Sequence, residues 1–157
     1  MNMLRELKCA DSLNQTPFNN ALSDEALWRA ATVGGAIATR TEHRIGRLAQ
    51  GLIADIAVFK RKGAYVHRSV IDAEPSDVVL TMRAVKVLYG DKSLVQSFDA
   101  YSSCEEIDVC GTPKSMCVAS EAKVSILADE PGLTLASLNR LNPSTYPLFS
   151  CEAPLNE

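Results

Sequence analysis

The sequence predicts an α+β protein in which N-terminal helices are followed by antiparallel strands. Two changes of pattern along the chain support this fold class. Apolar residues recur at helical spacing within the first forty positions, whereas compact β-branched runs bounded by glycines begin after residue 50. A run of helices followed by a run of strands is typical of α+β proteins, because each kind of element then packs in its own part of the fold.

The predicted helices lie before residue 44. A helix over residues 2–13 is indicated by apolar residues that share one face, namely Met3, Leu4, Leu7 and Ala10. Ser23 is a good N-cap for a second helix, and the two acidic residues after it suit the positive end of the helix dipole. We expect this helix to end near Gly34 and Gly35, since glycine is unfavourable inside helices. A short helical piece over residues 36–40 follows.

The predicted strands begin with residues 53–59, whose continuous apolar character indicates a well-buried strand. Residues 78–82 form a second predicted strand. Residues 85–89 alternate as a third, and Gly90-Asp91 is predicted to be a two-residue hairpin turn before a further extended segment. The strand signal fades after Ser97.

Composition limits the classes of partner. The net charge is −3, so no broad basic surface indicates nucleic acid, and no apolar run approaches the roughly 20 residues of a membrane span. Residues 1–100 contain 13 Lys+Arg and 11 Asp+Glu, whereas residues 101–157 contain 3 and 8. We therefore divide the chain into helices over 1–43, strands over 44–97 and an acidic, cysteine-containing extension over 98–157, with one predicted helix at 133–141.

Three segments carry a resemblance to a known family. They are LWRAAT at residues 27–32, RIGRLAQGLIADIAVF at residues 44–59 and VKVLYG at residues 85–90. The middle segment is similar to the pattern IG-x-L-x-x-G-x-x-AD that runs into a buried strand. Together they resemble the closing part of the amidohydrolase superfamily, particularly its imidazolonepropionase-like and chlorohydrolase-like members. Gly34-Gly35 departs from the Asn-Pro usual in relatives.

The resemblance implies both an architecture and a cofactor. Residues 1–43 would be the end of a TIM-like barrel, and residues 44–97 would be strands of a small, incomplete β-sandwich. That sandwich is built from both chain ends in the family, so an unpaired strand edge is expected here. The expected partners are the missing N-terminal barrel portion or a second copy bound through this edge. A divalent metal, zinc or iron, is implied for the full-length enzyme.

We assign no catalytic, cofactor-binding or metal-binding residue to this chain. The two histidines, His43 and His67, do not form the His-x-His pair that the resemblance implies, and we expect both to be solvated or to cap backbone groups. His67 lies in a basic segment that we expect to be exposed. Asp55 is expected to brace a turn, because a lone carboxylate in a strand needs hydrogen-bond donors.

Five cysteines complete the candidate residues: Cys9, Cys104, Cys110, Cys117 and Cys151. Their spacing does not match the short CxxC pairs of structural zinc sites. We favour partly buried thiols in a cytoplasmic chain, with one or two disulfides among the last four as the alternative for an exported protein. The sequence leaves the compartment open.

Three functional hypotheses follow. The leading one is the C-terminal structural portion of a metal-dependent amidohydrolase that acts on non-peptide C–N bonds, inactive as an isolated chain. The second is a non-catalytic β module, or the partner subunit of a split hydrolase. The third, a β-sandwich binding domain unrelated to hydrolases, is least favoured because of the fixed spacing across residues 44–59.

Overall fold

The computed structural model describes residues 3–98 and 104–117 and has the expected α+β fold. The helices are α1 (Met3–Gln15), α2 (Asp24–Arg29), α3 (Gly35–Ala38), α4 (Val66–Ile71) and α5 (Lys92–Val95). A π-helical turn, Ala30–Gly34, joins α2 to α3, and a 3-10 turn, Pro75–Asp77, precedes the second strand. The strands are β1 (Ile56–Phe59), β2 (Val78–Arg83), β3 (Lys86–Asp91), β4 (Glu105–Val109) and β5 (Thr112–Met116). The helix predicted at residues 133–141 lies outside the described residues.

The strands form one open antiparallel sheet in the order β1-β2-β3-β5-β4. β1 and β4 are therefore its two edges. Side chains of successive strand residues point to opposite faces, and directly paired residues share a face. Leu80 and Gly90 are such a pair on one face, and Thr81 and Tyr89 are a pair on the other. The two faces of the sheet are covered differently.

One face, which we call the closed face, carries a compact core. Leu80 and Val87 pack there with Val95 of α5 and with Cys117, and all four are buried. Cys117 forms a disulfide with Cys104 across the ends of the β4–β5 hairpin. The favoured expectation of free thiols is therefore wrong for these two residues and for Cys110, which is also disulfide-bonded. Cys9 is a free, exposed thiol, and Cys151 lies outside the described residues. The fold brings Cys104 and Cys117 to within 4.1 Å between Cα atoms, although 13 positions separate them.

The other face lies toward a layer formed by α1, α2 and α4. Leu7, Leu27 and Ile71, one from each helix, form the buried core of this layer. In the same helical layer, the Arg68 guanidinium donates two hydrogen bonds to the Asp11 carboxylate, at 2.7 and 3.0 Å, and also binds the Asp24 carboxylate. These bonds, first to Asp11 and then to Asp24, raise the pKa of Arg68 above its ordinary value. The arginine therefore ties the three helices together as a fixed cation.

The second helix does not end at the glycine pair as predicted. Ser23 caps its start by accepting a hydrogen bond from the Ala26 N–H, as expected. The helix then widens into the π-helical turn and continues through Gly35 to Ala38. Packing outweighs the low helix propensity of Gly34 and Gly35. The chain at Gly46 lies against this helical segment, so closely that a Cβ on Gly46 would come within 2.6 Å of the Ala36 Cβ. Gly46 also has φ +96°, which suits glycine.

The hairpin turn lies earlier than predicted. Ala84 and Val85, with φ of 48° and 70°, form the turn between β2 and β3. Gly90 and Asp91 belong to β3, and the predicted extended segment after them is helix α5. Gly90 is a packing position rather than a turn position, since a Cβ there would lie 2.7 Å from the Val79 carbonyl oxygen. The fixed close approach of β2 explains this glycine.

Three further expectations need correction. Residues 53–59 were expected to form a well-buried strand, but β1 is an edge strand in which Ala57 and Val58 are exposed. The basic segment that contains His67 was expected to be exposed. Residues 60–66 are exposed, but His67 is half-buried in α4, which packs on α1 and α2. No strand was predicted after Ser97, but the structure has the β4–β5 hairpin there. Its strands are short and rich in polar residues, so they give a weak strand pattern.

Candidate functional site

An open apolar groove separates the helical layer from the sheet. Its volume is about 960 Å³. The helical wall comes from α1, α2 and the π-helical turn, and the floor comes from the β1 and β2 side of the sheet. We call this space the apolar groove; its apolar lining includes Met3, Leu4, Leu7, Trp28, Ala31, Val33, Ile45, Leu48, Ile56, Ala57, Phe59, Val70 and Val78. Several of these side chains are exposed, most of all Met3 at 61% and Leu48 at 73%.

The segment from Ile45 to Phe59 builds much of the groove because its glycines and strand set the path of the chain. Gly46 presses against the π-helical turn, so that Ile45 and Leu48 reach the groove wall. The chain then enters β1, which supplies Ala57 and Phe59 to the floor. The segment that carries the family resemblance is thus the one that shapes the groove.

Few charged groups lie along the groove. Arg29 and Arg47 contribute to its lining, and Arg29 forms a 3.7 Å ion pair with Glu25 on the exposed side of α2. Asp55 also lines the groove, but one of its carboxylate oxygens accepts a hydrogen bond of 2.9 Å from the Ala84 N–H. Asp55 therefore braces the β2–β3 turn, as expected, although it is exposed rather than buried.

Polar contacts are found at the end of the groove that borders the 3-10 turn. Tyr89 lines the groove and donates its hydroxyl to the Pro75 carbonyl at 3.1 Å. Burial, with the nearby negative charge of Asp91 as a smaller contribution, raises the pKa of Tyr89 above its ordinary value. The phenol therefore stays neutral and acts as a hydrogen-bond donor.

Beside Tyr89, Lys114 is fully buried. Its ammonium group donates to the Ser76 carbonyl at 2.8 Å and the Val78 carbonyl at 2.7 Å, and it also binds the Asp91 carboxylate. The same nitrogen lies 5.8 Å from the centre of the Tyr89 ring. Three acceptors satisfy the three donors of an ammonium, so this lysine fastens β5 and β3 to the start of β2. Nothing in the sequence pattern of β5 signals this role.

A second lysine, Lys62, holds Asp77 of the 3-10 turn. Burial alone would raise the pKa of Asp77, but the hydrogen bond from Lys62, the Glu74 N–H and the charges of Lys62 and Lys60 outweigh it. The net result is a pKa below the ordinary value, so the carboxylate stays ionised. Glu74 and Asp77 form a capping box on this turn, which fixes the entry to β2.

The two histidines lie apart from each other and from any metal-ligand cluster. His43 is exposed in the loop after α3. His67 is half-buried on α4, and its ring lies 5.0 Å from that of Trp28, tilted by 40°. Within residues 3–98 and 104–117, no group of three or more His, Cys, Asp or Glu side chains is placed to hold a metal ion. In the same ranges, no helix is long and apolar enough to cross a membrane.

The chemistry available in the groove is therefore that of a binding surface. Apolar side chains dominate the lining, and its acidic group and its buried phenol are both engaged in holding the fold. The volume is near the upper end of the roughly 300–1,000 Å³ of ligand pockets, and the groove is open rather than enclosed.

The edge of β1 lies along the same groove and has free pairing positions. The Lys60 N–H bonds to the Asp77 carbonyl at 2.8 Å, and the Ala54 carbonyl accepts from Val85 at 3.2 Å. Residues 54 and 60 therefore point their backbone groups toward β2, and alternation directs those of Ala57 and Phe59 outward. Among the described residues, β1 pairs only with β2.

No protein-family model matches this sequence, and no curated protein or solved structure has significant similarity to it.

Proposed function

We propose that this chain is the C-terminal structural portion of a metal-dependent amidohydrolase that acts on non-peptide C–N bonds. In this role it supplies no metal ligand. It covers the complementary barrel portion with its helical layer and its sheet, while the barrel portion provides the catalytic metal, zinc or iron. The chain alone is inactive.

One observation carries this proposal: a segment with the composition of a buried strand lies exposed. Ile56, Ala57, Val58 and Phe59 form an uninterrupted apolar run, yet Ala57 and Val58 are exposed at the sheet edge. Ala57 and Val58 face opposite sides of the sheet, because they are successive strand residues. On the side of Ala57 the exposed apolar surface continues into the groove, and contiguous exposed apolar surface is typical of interaction sites. The apolar groove beside the strand extends the same surface to α1 and α2.

The position of the groove also supports the proposal. The segment similar to the family pattern builds the groove wall and floor, with Gly46 at a close approach and Asp55 at a turn. Both residues thus have structural roles. A barrel portion that packs its own apolar surface into the groove would cover Met3 and Leu48, the most exposed of the large apolar side chains that line it.

The test is reconstitution. The chain is purified alone and after co-expression with a candidate barrel portion that carries a His-x-His pair, and metal content and hydrolysis of cyclic amides and amidines are measured. We expect bound metal and turnover only with the barrel portion. Stoichiometric metal or turnover with the chain alone would contradict the proposal, and so would a barrel portion that is fully active without this chain.

A matched pair of variants locates the interface. Met3 and Phe18 are equally exposed, at 61% and 62%, but only Met3 lines the groove. We expect Met3→Asp to weaken assembly with the barrel portion at least tenfold, because it places a charge on the buried apolar contact. Phe18→Asp should leave assembly unchanged. Equal effects of the two substitutions would remove the groove from the interface.

The alternative, a partner subunit of a split hydrolase, predicts the same interface. It differs in gene organisation, since the barrel portion is then a separate polypeptide. A reading frame directly upstream that encodes a barrel with a His-x-His pair, translated as a separate product, would favour this version.

A further inference from the structure

We propose that β1 mediates a symmetric dimer of this chain, in which the outer edges of two β1 strands pair antiparallel about a two-fold axis. The dimer goes beyond the proposed function and does not depend on it. When a barrel portion occupies the same edge, the two modes of assembly exclude each other.

The backbone of β1 supplies the pairing groups. The N–H and C=O of Ala57 and Phe59 point away from β2, as the inward bonds of Ala54 and Lys60 require. Antiparallel pairing about a two-fold axis perpendicular to the sheet joins these positions in the two copies. Both strands have the same residues at these positions, so the interface is self-complementary.

The charges that flank β1 select a second copy in this orientation. Asp55 precedes the strand, and the basic cluster Lys60-Arg61-Lys62 follows it, while β1 itself has no charged residue. Antiparallel pairing places the start of one strand beside the end of the other. Asp55 of each copy therefore lies near Lys60 and Arg61 of the second copy, while Lys62 stays paired with Asp77 of its own chain, and attraction occurs at both ends. Parallel pairing would set like charges side by side.

The opposite edge of the sheet lacks this complementarity. β4 contains Glu105, Glu106 and Asp108 within five residues, and Glu106 and Asp108 are exposed. A two-fold pairing of β4 would bring these carboxylates together, which is the usual protection of a free strand edge. The dimer therefore forms through β1 and not through β4.

Side chains extend the contact beyond the four paired residues. Ala57 and Phe59 belong to the floor of the apolar groove, so pairing of β1 brings the groove of one copy next to the groove of the other. The exposed apolar side chains along both grooves then lie against each other rather than against water. Burial of this surface supplies stability that a short strand pair alone would not.

The first experiment measures the molar mass of the full chain by sedimentation and light scattering at about 1 to 100 micromolar, a range that covers micromolar dissociation constants. We expect the mass of two chains at the upper end. Ala57→Pro removes only an outward-pointing N–H, so β1 can still pair with β2, and we expect a monomer of 17.0 kDa. Ala57→Ser keeps that N–H and is the matched control that stays dimeric.

The outcomes are decisive in either direction. A wild-type chain that is monomeric at every concentration overturns the proposal. So does an Ala57→Pro variant that keeps its native circular dichroism and remains a dimer. If Ala57→Pro does not fold, amide hydrogen exchange of the wild type replaces it. Protection of the Ala57 and Phe59 amides should then disappear on dilution, and concentration-independent exchange at both would reject the β1 interface. None of these results bears on the hydrolase assignment.

Discussion

The two faces of the sheet differ in how completely the described residues cover them. On the closed face, Val95 and Cys117 are fully excluded from solvent, and the Cys104–Cys117 disulfide holds the hairpin that supports them. On the other face, the helical layer stands off from β1 and leaves the apolar groove. Within residues 3–98 and 104–117, the closed face has a compact core, whereas large apolar side chains of the groove face, such as Met3 and Leu48, are exposed. The groove face is the one to which the proposed function assigns the contact with a barrel portion.

The largest expected loss of stability comes from Lys114. Its side chain is fully buried, although it lies on the same face of the sheet as the open groove. Lys114→Met leaves the Asp91 carboxylate and two carbonyls without their donor, so the free energy of unfolding should fall by about 3–5 kcal/mol. Lys92→Met removes an exposed ion pair with Glu106 and should cost less than about 1 kcal/mol. Denaturant unfolding measures both. Equal losses of unfolding free energy in the two variants would show that the buried ion pair of Lys114 stabilises the fold no more than the exposed pair of Lys92.

The next effect compares the two faces directly. Leu80→Ala leaves a cavity inside the closed core and should cost about 2–5 kcal/mol. Phe59→Ala removes a larger side chain, but one that borders the open groove, so its cost should stay below about 2 kcal/mol. Thermal and denaturant unfolding of both variants test the comparison. A greater loss for Phe59→Ala would mean that the groove floor is packed as tightly as the closed core.

The disulfide provides the third test, because it belongs only to the closed face. The double variant Cys104→Ala/Cys117→Ala should lose about 2–4 kcal/mol, since the unfolded chain regains the freedom that the crosslink removes. Cys9→Ala, at the free and exposed thiol, should change stability little. Hydrogen exchange should show faster opening of β4 and β5 in the double variant. Unchanged hydrogen exchange in β4 and β5 would show that the disulfide does not stabilise the hairpin.

The smallest effect is a pH dependence at the end of the groove. The pKa of Asp77 is lower in the folded protein than its ordinary value of 3.8. The carboxylate therefore contributes stability that is fully present above that value and is lost as the pH falls through the folded pKa. We expect Asp77→Asn to flatten this acid slope, and Lys62→Met to reduce it by removing the donor. An unchanged slope in both variants would exclude Asp77 as its source.

Local patterns predicted the elements that depend on neighbouring residues. The α1 periodicity, the Ser23 cap and the β2 apolar run all appear where the sequence places them. Asp55 also braces a turn as expected, but that turn, at Ala84, lies 29 positions along the chain and could not be named from the local pattern. The elements that were missed have weak local signals: α4 is short and basic, and the β4–β5 hairpin is mostly polar. Their stability comes from contacts with distant residues.

Spacing along the chain was enough to predict the α+β class and the apolar run that became β1, but not helices α4 and α5, which lie among the strands. The exposed edge position of β1, the burial of Lys114 among three acceptors and the meeting of Cys104 with Cys117 could be seen only in the folded chain. Each of these requires residues far apart in the chain to come together. The pattern of an apolar strand is the same whether a neighbour covers it or not, so its exposure becomes visible only when the sheet is assembled.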